Sequence, residues 1–123
     1  MLPWNTFQVR ISTADYLKGD VFRRRRFRDV IERQLALFEQ EDGDLLDDVD
    51  RALETYDRAD RDEAEELYGD YQLTIEAATD RLAELRDTYA RTLGEEQAER
   101  YVREFNGAVV ERWRDLALTI EES

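Results

Sequence analysis

The fold is decided by residues 44–93, which read DLLDDVDRALETYDRADRDEAEELYGDYQLTIEAATDRLAELRDTYARTL. Apolar side chains recur in this segment every three or four residues, which is the spacing of one face of an α-helix. The stripe weakens between Asp57 and Glu63, where Asp60 or Asp62 could start a new helix. The pattern favours one long helix over two separate ones. The stripe consists of Leu46, Val49, Leu53, Tyr56, Asp60, Ala64, Leu67, Tyr71, Ile75, Ala78, Leu82, Leu85, Tyr89 and Leu93.

Two shorter helical patterns flank this segment. A first helix is predicted over 13–40 and a last helix over 95–121, each with its own apolar stripe. A turn is expected over 41–44, where Asp42 or Asp44 can cap the helix that follows. The last helix is predicted to continue through Gly107, because one interior glycine costs a helix only about 1 kcal/mol.

The amino-terminal residues have a different pattern. Apolar and polar residues alternate at Phe7, Val9 and Ile11, so residues 1–12 are expected to form an extended N-terminal arm. Residues 13–123 are expected to form a single helical-bundle domain. The predicted fold is therefore all-α, an antiparallel helical bundle of three long helices, or of four if the middle one breaks near Asp60.

The first helix is apolar on two sides. Its main stripe faces one way, whereas Phe22, Val30 and Leu37 fall on another side of an ideal helical wheel. A helix of this kind is central in a bundle or contacts a second subunit. We therefore expect a homodimer. The main stripe is Leu17, Val21, Phe27, Ile31, Leu35 and Phe38.

Composition excludes several classes of function. Among 123 residues there are 31 acidic and 18 basic side chains, for a formal net charge of −13, and there is no His and no Cys. The usual general base, the thiolate nucleophile and the nitrogen and sulfur ligands of transition metals are thus missing. The net charge disfavours nucleic acids and anionic membrane surfaces. The longest uncharged run covers residues 1–9, much shorter than the roughly 20 apolar residues that span a membrane.

These exclusions predict what kind of protein this is. We expect a soluble, cytoplasmic, non-enzymatic protein without a cofactor, which acts as a protein–protein interaction or structural and regulatory module. A separate protein partner besides the second subunit is compatible with this prediction.

A run of arginines is the most conspicuous local feature. It reads Arg23-Arg24-Arg25-Arg26-Phe27-Arg28, and four consecutive residues on a helix point to four sides, which does not produce the one-sided stripe of a phosphate-binding helix. Arg24 and Arg28 fall within the main apolar stripe. We expect their stems to pack in the bundle and their guanidinium groups to meet acidic residues; an acidic partner protein and nucleic acid are the alternatives. The expected acidic residues are Asp47, Asp48 and Asp50.

One arrangement of carboxylates suggests an enzyme instead. Seventeen residues separate the pair Glu63 and Glu66 from the pair Glu84 and Asp87. This pattern resembles the paired acidic motif of the all-α nucleotide pyrophosphohydrolases (the MazG and dimeric dUTPase group), and the resemblance implies a Mg²⁺-dependent enzyme in which these residues hold the metal. Similar acidic pairs recur elsewhere in the chain, and an unbroken helix would keep the two pairs about 27 Å apart. The alternative function therefore requires a helix break near Gly69.

Most aromatic residues lie on the apolar stripes and are expected in the core. Tyr68 lies off the main stripe, beside Gly69, and is a candidate for a binding surface. The candidate interaction residues from the sequence are Phe22, Arg24, Arg28, Val30, Leu37 and Tyr68.

Overall fold

The computed structural model describes residues 27–123, and every regular element in that range is helical. The chain divides into two compact units, Met1–Val30 and Ile31–Ser123. The predicted arm over 1–12, and the candidates Phe22 and Arg24, lie outside the described residues. The elements are α1 over 27–41, α2 Gly43–Asp57, α3 Ala64–Ala90, α4 Glu95–Arg112, a 3₁₀ turn Arg114–Leu116 and α5 Ala117–Glu122.

The predicted all-α class is confirmed for these residues, and the middle segment forms two helices, which is the predicted alternative of a break near Asp60, so the favoured single long helix is wrong. Helix α2 ends at Asp57 and α3 begins at Ala64. Five of the six residues between them are charged and the sixth is Ala59, so this stretch has no large apolar side chain to bury. Helices within proteins gain most of their stability from tertiary packing of an apolar face. Folding back at this stretch buries the two apolar faces against each other.

The turn between α1 and α2 is tighter than expected. It consists of Asp42 alone, whose backbone N–H donates to the carbonyl of Phe38 at 2.7 Å. Asp42 is the residue before α2, yet its side chain makes no capping hydrogen bond. Instead its carboxylate accepts a hydrogen bond from Arg81 Nε at 3.2 Å. The predicted cap therefore acts as a tertiary ion pair between the start of α2 and the middle of α3.

Contacts between side chains give the directions of the helices. Asp42 pairs with Arg81, and the ring of Tyr56 lies 5.4 Å from that of Tyr68, so α2 and α3 are antiparallel. In the same way α3 and α4 form an antiparallel hairpin, because the Tyr89 and Tyr101 rings are 4.7 Å apart and Arg86 contacts the more distant Asn106. Helix α3 also contacts α5 and the 3₁₀ turn. It is therefore the central helix, with α2 on its first half and α4 and α5 on its second.

Helix α1 runs alongside α4. Gln34 accepts a hydrogen bond from the Tyr101 hydroxyl, and Glu39 accepts one from Arg112 Nε at 2.8 Å. Since both residue numbers increase together, the two helices are parallel. The core of the unit Ile31–Ser123 lies between α1, α2, α3, α4 and the last turns. Its fully or nearly buried apolar residues are Ile31, Leu35, Phe38, Val49, Tyr71, Ile75, Ala78, Leu82, Ala83, Tyr101, Phe105, Val109, Leu116 and Ile120.

The last predicted helix is continuous through Gly107, as expected, but it does not reach residue 121. It ends at Arg112, and Trp113 is extended with φ −137° and ψ 92°. The 3₁₀ turn and the short α5 then redirect the chain, which buries Leu116 and Ile120.

Candidate functional site

Three tyrosines form a cluster at the closed end of the α2–α3 hairpin, next to the 58–63 connection that joins the two helices. The rings of Tyr56 and Tyr68 are 5.4 Å apart, and those of Tyr68 and Tyr71 are 6.4 Å apart; both pairs are tilted. Gln72 donates a hydrogen bond to the Tyr68 hydroxyl at 2.9 Å. We call Tyr56, Tyr68 and Tyr71 the tyrosine cluster. Tyr71 is buried, whereas Tyr68 is 47% exposed, so the cluster joins the core to the surface.

The exposure of Tyr68 follows from where its helix is covered. Tyr68, Ile75 and Arg86 lie on one face of α3, because they are spaced by 7 and 11 residues, close to whole turns. Ile75 is 4% exposed and Arg86 is 3% exposed. Helix α2 contacts α3 but makes no contact with α4 or α5. The face that carries Tyr68 is thus buried along the second half of α3 and open at its beginning.

The surroundings of the tyrosine cluster are negative. Burial raises the pKa of the Tyr71 phenol, and nearby negative charge raises it further, from Asp115, Asp57 and Asp50. Between residues 27 and 123 none of these three carboxylates forms an ion pair. Residues 62–80, which include the first half of α3, contain seven acidic residues and no basic one. The cluster therefore combines exposed aromatic surface with unneutralised carboxylates.

The other candidate interaction residues are not part of this cluster. Arg28 is exposed and Val30 is half-buried. Leu37 on α1 is 45% exposed, and no contact in the described part of the chain joins it to the tyrosines. Two leucines that the sequence did not single out are more exposed: Leu73 on α3 at 64% and Leu118 on α5 at 75%. The signal that could have identified Leu73 is its position among acidic residues on the outer face of α3.

The predicted partners of the arginine run are arranged differently from the expectation where the structure describes them. Asp48 accepts a hydrogen bond from Arg51 Nη2 at 2.7 Å, within α2 itself. The backbone carbonyl of Asp47 accepts a hydrogen bond from Nε of the same arginine at 3.4 Å. The pairing of Arg24 with these carboxylates lies outside the described residues and stays a prediction.

The four carboxylates of the enzyme hypothesis do not come together. Helix α3 is unbroken at Gly69, so Glu66 and Glu84 are 18 residues apart on one helix, about 27 Å. Glu84 pairs with Arg81 at 3.3 Å and Asp87 with Arg86 at 2.9 Å. Within residues 27–123 no three acidic side chains are grouped closely enough to hold a metal ion. The Mg²⁺ site formed by Glu63, Glu66, Glu84 and Asp87 within one chain is therefore a prediction that the structure contradicts.

One buried charged residue, Arg86, was not expected from the sequence. The Arg86 guanidinium donates to Asp87 Oδ1 at 2.9 Å and to Asn106 Oδ1 at 2.8 Å. It also donates to the carbonyls of Ile120 at 3.3 Å and Ser123 at 3.2 Å. Arg86 therefore links α3, α4 and the carbonyl end of α5, where the helix dipole favours a cation. The sequence signal for this role is the position of Arg86 four residues after Leu82, which places a charged side chain on the apolar face of the helix.

Comparisons give no relative from which a function could be transferred. No protein-family model matches the chain, and no significant similarity to curated proteins or to solved structures is found. None of the helices between residues 27 and 123 has both the length and the apolar character needed to cross a bilayer.

Proposed function

We propose that this chain is a non-enzymatic protein–protein interaction module that assembles as a homodimer, with the tyrosine cluster in its contact surface. The observation that carries the proposal is the incomplete cover of α3. One face of α3 is buried against other helices along the second half of the helix, and at the beginning of the helix the same face carries the half-exposed Tyr68. Tyrosines are common in protein interfaces because each supplies a large apolar ring together with a polar hydroxyl.

The chemistry of the chain supports this proposal in a second way. The sequence has neither His nor Cys, so the side chains that perform most acid–base and nucleophilic catalysis are missing. The carboxylate pairs that could have replaced them are kept apart by the continuous α3. A surface of aromatic and acidic groups suits recognition rather than bond cleavage.

The test is the mass of the full chain in solution. Multi-angle light scattering during size exclusion is expected to give twice the chain mass, and Tyr68→Ser is expected to shift the population towards monomer. Leu73→Ser is the matched control, because Leu73 is on the same helix and more exposed but lies about 140° away around the helix axis. Circular dichroism should show that both variants keep the helical content.

Two results would contradict the proposal. A wild-type chain that is monomeric at about 100 μM would exclude the homodimer. A dimer that is weakened by Leu73→Ser and not by Tyr68→Ser would move the contact to the outer face of α3.

A further inference from the structure

We propose that the tyrosine cluster of one chain binds the arginine run Arg23–Arg28 of a second copy. The inference rests on the proposed homodimer and identifies the groups that would join its two chains. The occupant is therefore a second copy of this protein, which presents guanidinium groups to Tyr68, Asp57 and Asp50.

The first argument is chemical. Guanidinium groups stack on aromatic rings and form ion pairs with carboxylates, and few other side chains can use both contacts at once. Tyr68 supplies a half-exposed ring. Asp50 and Asp57 lie near enough to the cluster to raise the pKa of Tyr71. These two carboxylates have no ion-pair partner among residues 27–123.

The second argument is charge complementarity within the sequence. Residues 1–38 carry eight basic and four acidic side chains, whereas residues 39–123 carry ten basic and twenty-seven acidic ones. The stretch 39–66, which includes α2, holds fourteen acids and three arginines. A chain with net charge −13 would repel its own copy unless the basic part of one met the acidic part of the other.

The third argument concerns the place where the chain enters the unit Ile31–Ser123. Gln34 lies against Tyr101, and the ring of Tyr101 lies 4.7 Å from that of Tyr89, near the end of α3. Tyr68 is 21 residues earlier on the same helix, about 31 Å away. The segment that precedes Ile31 thus joins this unit at the opposite end of α3 from the tyrosine cluster.

That separation favours a contact between chains. A two-fold axis perpendicular to α3, on the side of the unit that carries Tyr68, sets two copies antiparallel and brings the beginning of each Ile31–Ser123 unit next to the other copy's cluster. Such an arrangement is self-complementary and closed, as most homodimers are. It forms the same arginine–tyrosine contact twice.

A reciprocal charge exchange tests this contact. The first variant, Asp50→Lys with Asp57→Lys, reverses the charge at the cluster. The second, Arg24→Glu with Arg28→Glu, reverses the charge in the arginine run. Each variant alone is expected to raise the dimer dissociation constant at least about tenfold, since ion pairs are replaced by like-charge repulsion at two sites.

The mixture is the decisive sample. In an equimolar mixture one contact joins the introduced lysines to the introduced glutamates, and the other joins two unchanged surfaces. Light scattering should therefore show a heterodimer although each variant alone is largely monomeric. Glu76→Lys with Asp80→Lys is the control, because it changes the net charge equally on the exposed outer face of α3 and is expected to leave the dimer intact.

The remaining outcomes would overturn the inference in different ways. If both variants stay dimeric, the homodimer stands and the arginine contact is wrong. If each variant is monomeric and the mixture does not recover, the arginine run contacts its own chain or another part of the dimer. If the wild-type chain is monomeric, the proposed function itself fails.

Discussion

Arg86 gives the sharpest prediction about how this fold is held together. Its side chain is 3% exposed and makes four hydrogen bonds, two of them to backbone carbonyls of Ile120 and Ser123. Helix α5 has only six residues, too few to be stable without tertiary contacts. Substitution Arg86→Ala removes the two hydrogen bonds that a side chain of α3 donates to the end of α5.

The size of the effect can be worked from these contacts. The bond to Asp87 counts for little, because that carboxylate is 49% exposed and is rehydrated when the arginine is gone. The carbonyl of Ile120 and the amide of Asn106 lose a charged donor, and a buried polar group left without a partner costs about 1–3 kcal/mol. We expect the free energy of unfolding to fall by about 3 kcal/mol. For a unit of this size the melting temperature then falls by about 15 °C.

The assay is urea unfolding followed by circular dichroism, with amide hydrogen exchange to locate the change. Exchange should accelerate most in α5 and at the end of α4. Arg58→Ala is the matched control, since Arg58 pairs with Glu54 at 2.8 Å but is 78% exposed, and such surface pairs contribute less than about 1 kcal/mol. A loss below about 1 kcal/mol for Arg86→Ala would refute the assigned role of this residue.

Two further predictions concern α4. Burial raises the pKa of Tyr101 to about 12, against about 10 in an unfolded chain, so its contribution to stability is complete below about pH 10 and is lost as pH rises from 10 to 12. Urea unfolding at pH 9 and pH 11 should show this fall in the free energy of unfolding, and the fall should be smaller in Tyr101→Phe. An equal fall in the wild-type protein and in the variant would contradict the assignment. Gly107→Ala should raise the free energy of unfolding by roughly 0.5–1 kcal/mol, because Gly107 has no positive φ and a Cβ there meets no atom within 4 Å. A lower melting temperature in the variant would show that another group packs against this face of α4.

The apolar spacing predicted much of the core correctly. Ile31, Leu35 and Phe38 were assigned to one stripe of the first helix, and all three are nearly inaccessible to solvent. The spacing succeeds because burial along a helix is set by a local period that the sequence contains in full. It cannot say where a helix must stop in order to find a partner, so the breaks at 58–63 and at Trp113 were not resolved by it.

For the candidate site, too, the sequence predicted one part and the packing of the helices decided the other. Tyr68 was singled out because it lies off the main stripe, but its exposure depends on how far α4 and α5 extend along α3. The resemblance through Glu63, Glu66, Glu84 and Asp87 depended on a helix break that α3 does not have. Spacing along a chain specifies which residues share a helix face, whereas a metal site also requires the helices to bring those faces together.

The sequence by itself determined the helical class, the acidic character and the absence of His and Cys, because each is fixed by composition or by a repeat of three to four residues. Only the tertiary structure decided that the middle segment folds into a hairpin, that Arg86 holds α5, and that Tyr68 remains open beside carboxylates with no ion-pair partner among residues 27–123. Those features depend on which helices cover which parts of α3. That cover is a relation between residues distant in sequence, and local spacing carries no information about it.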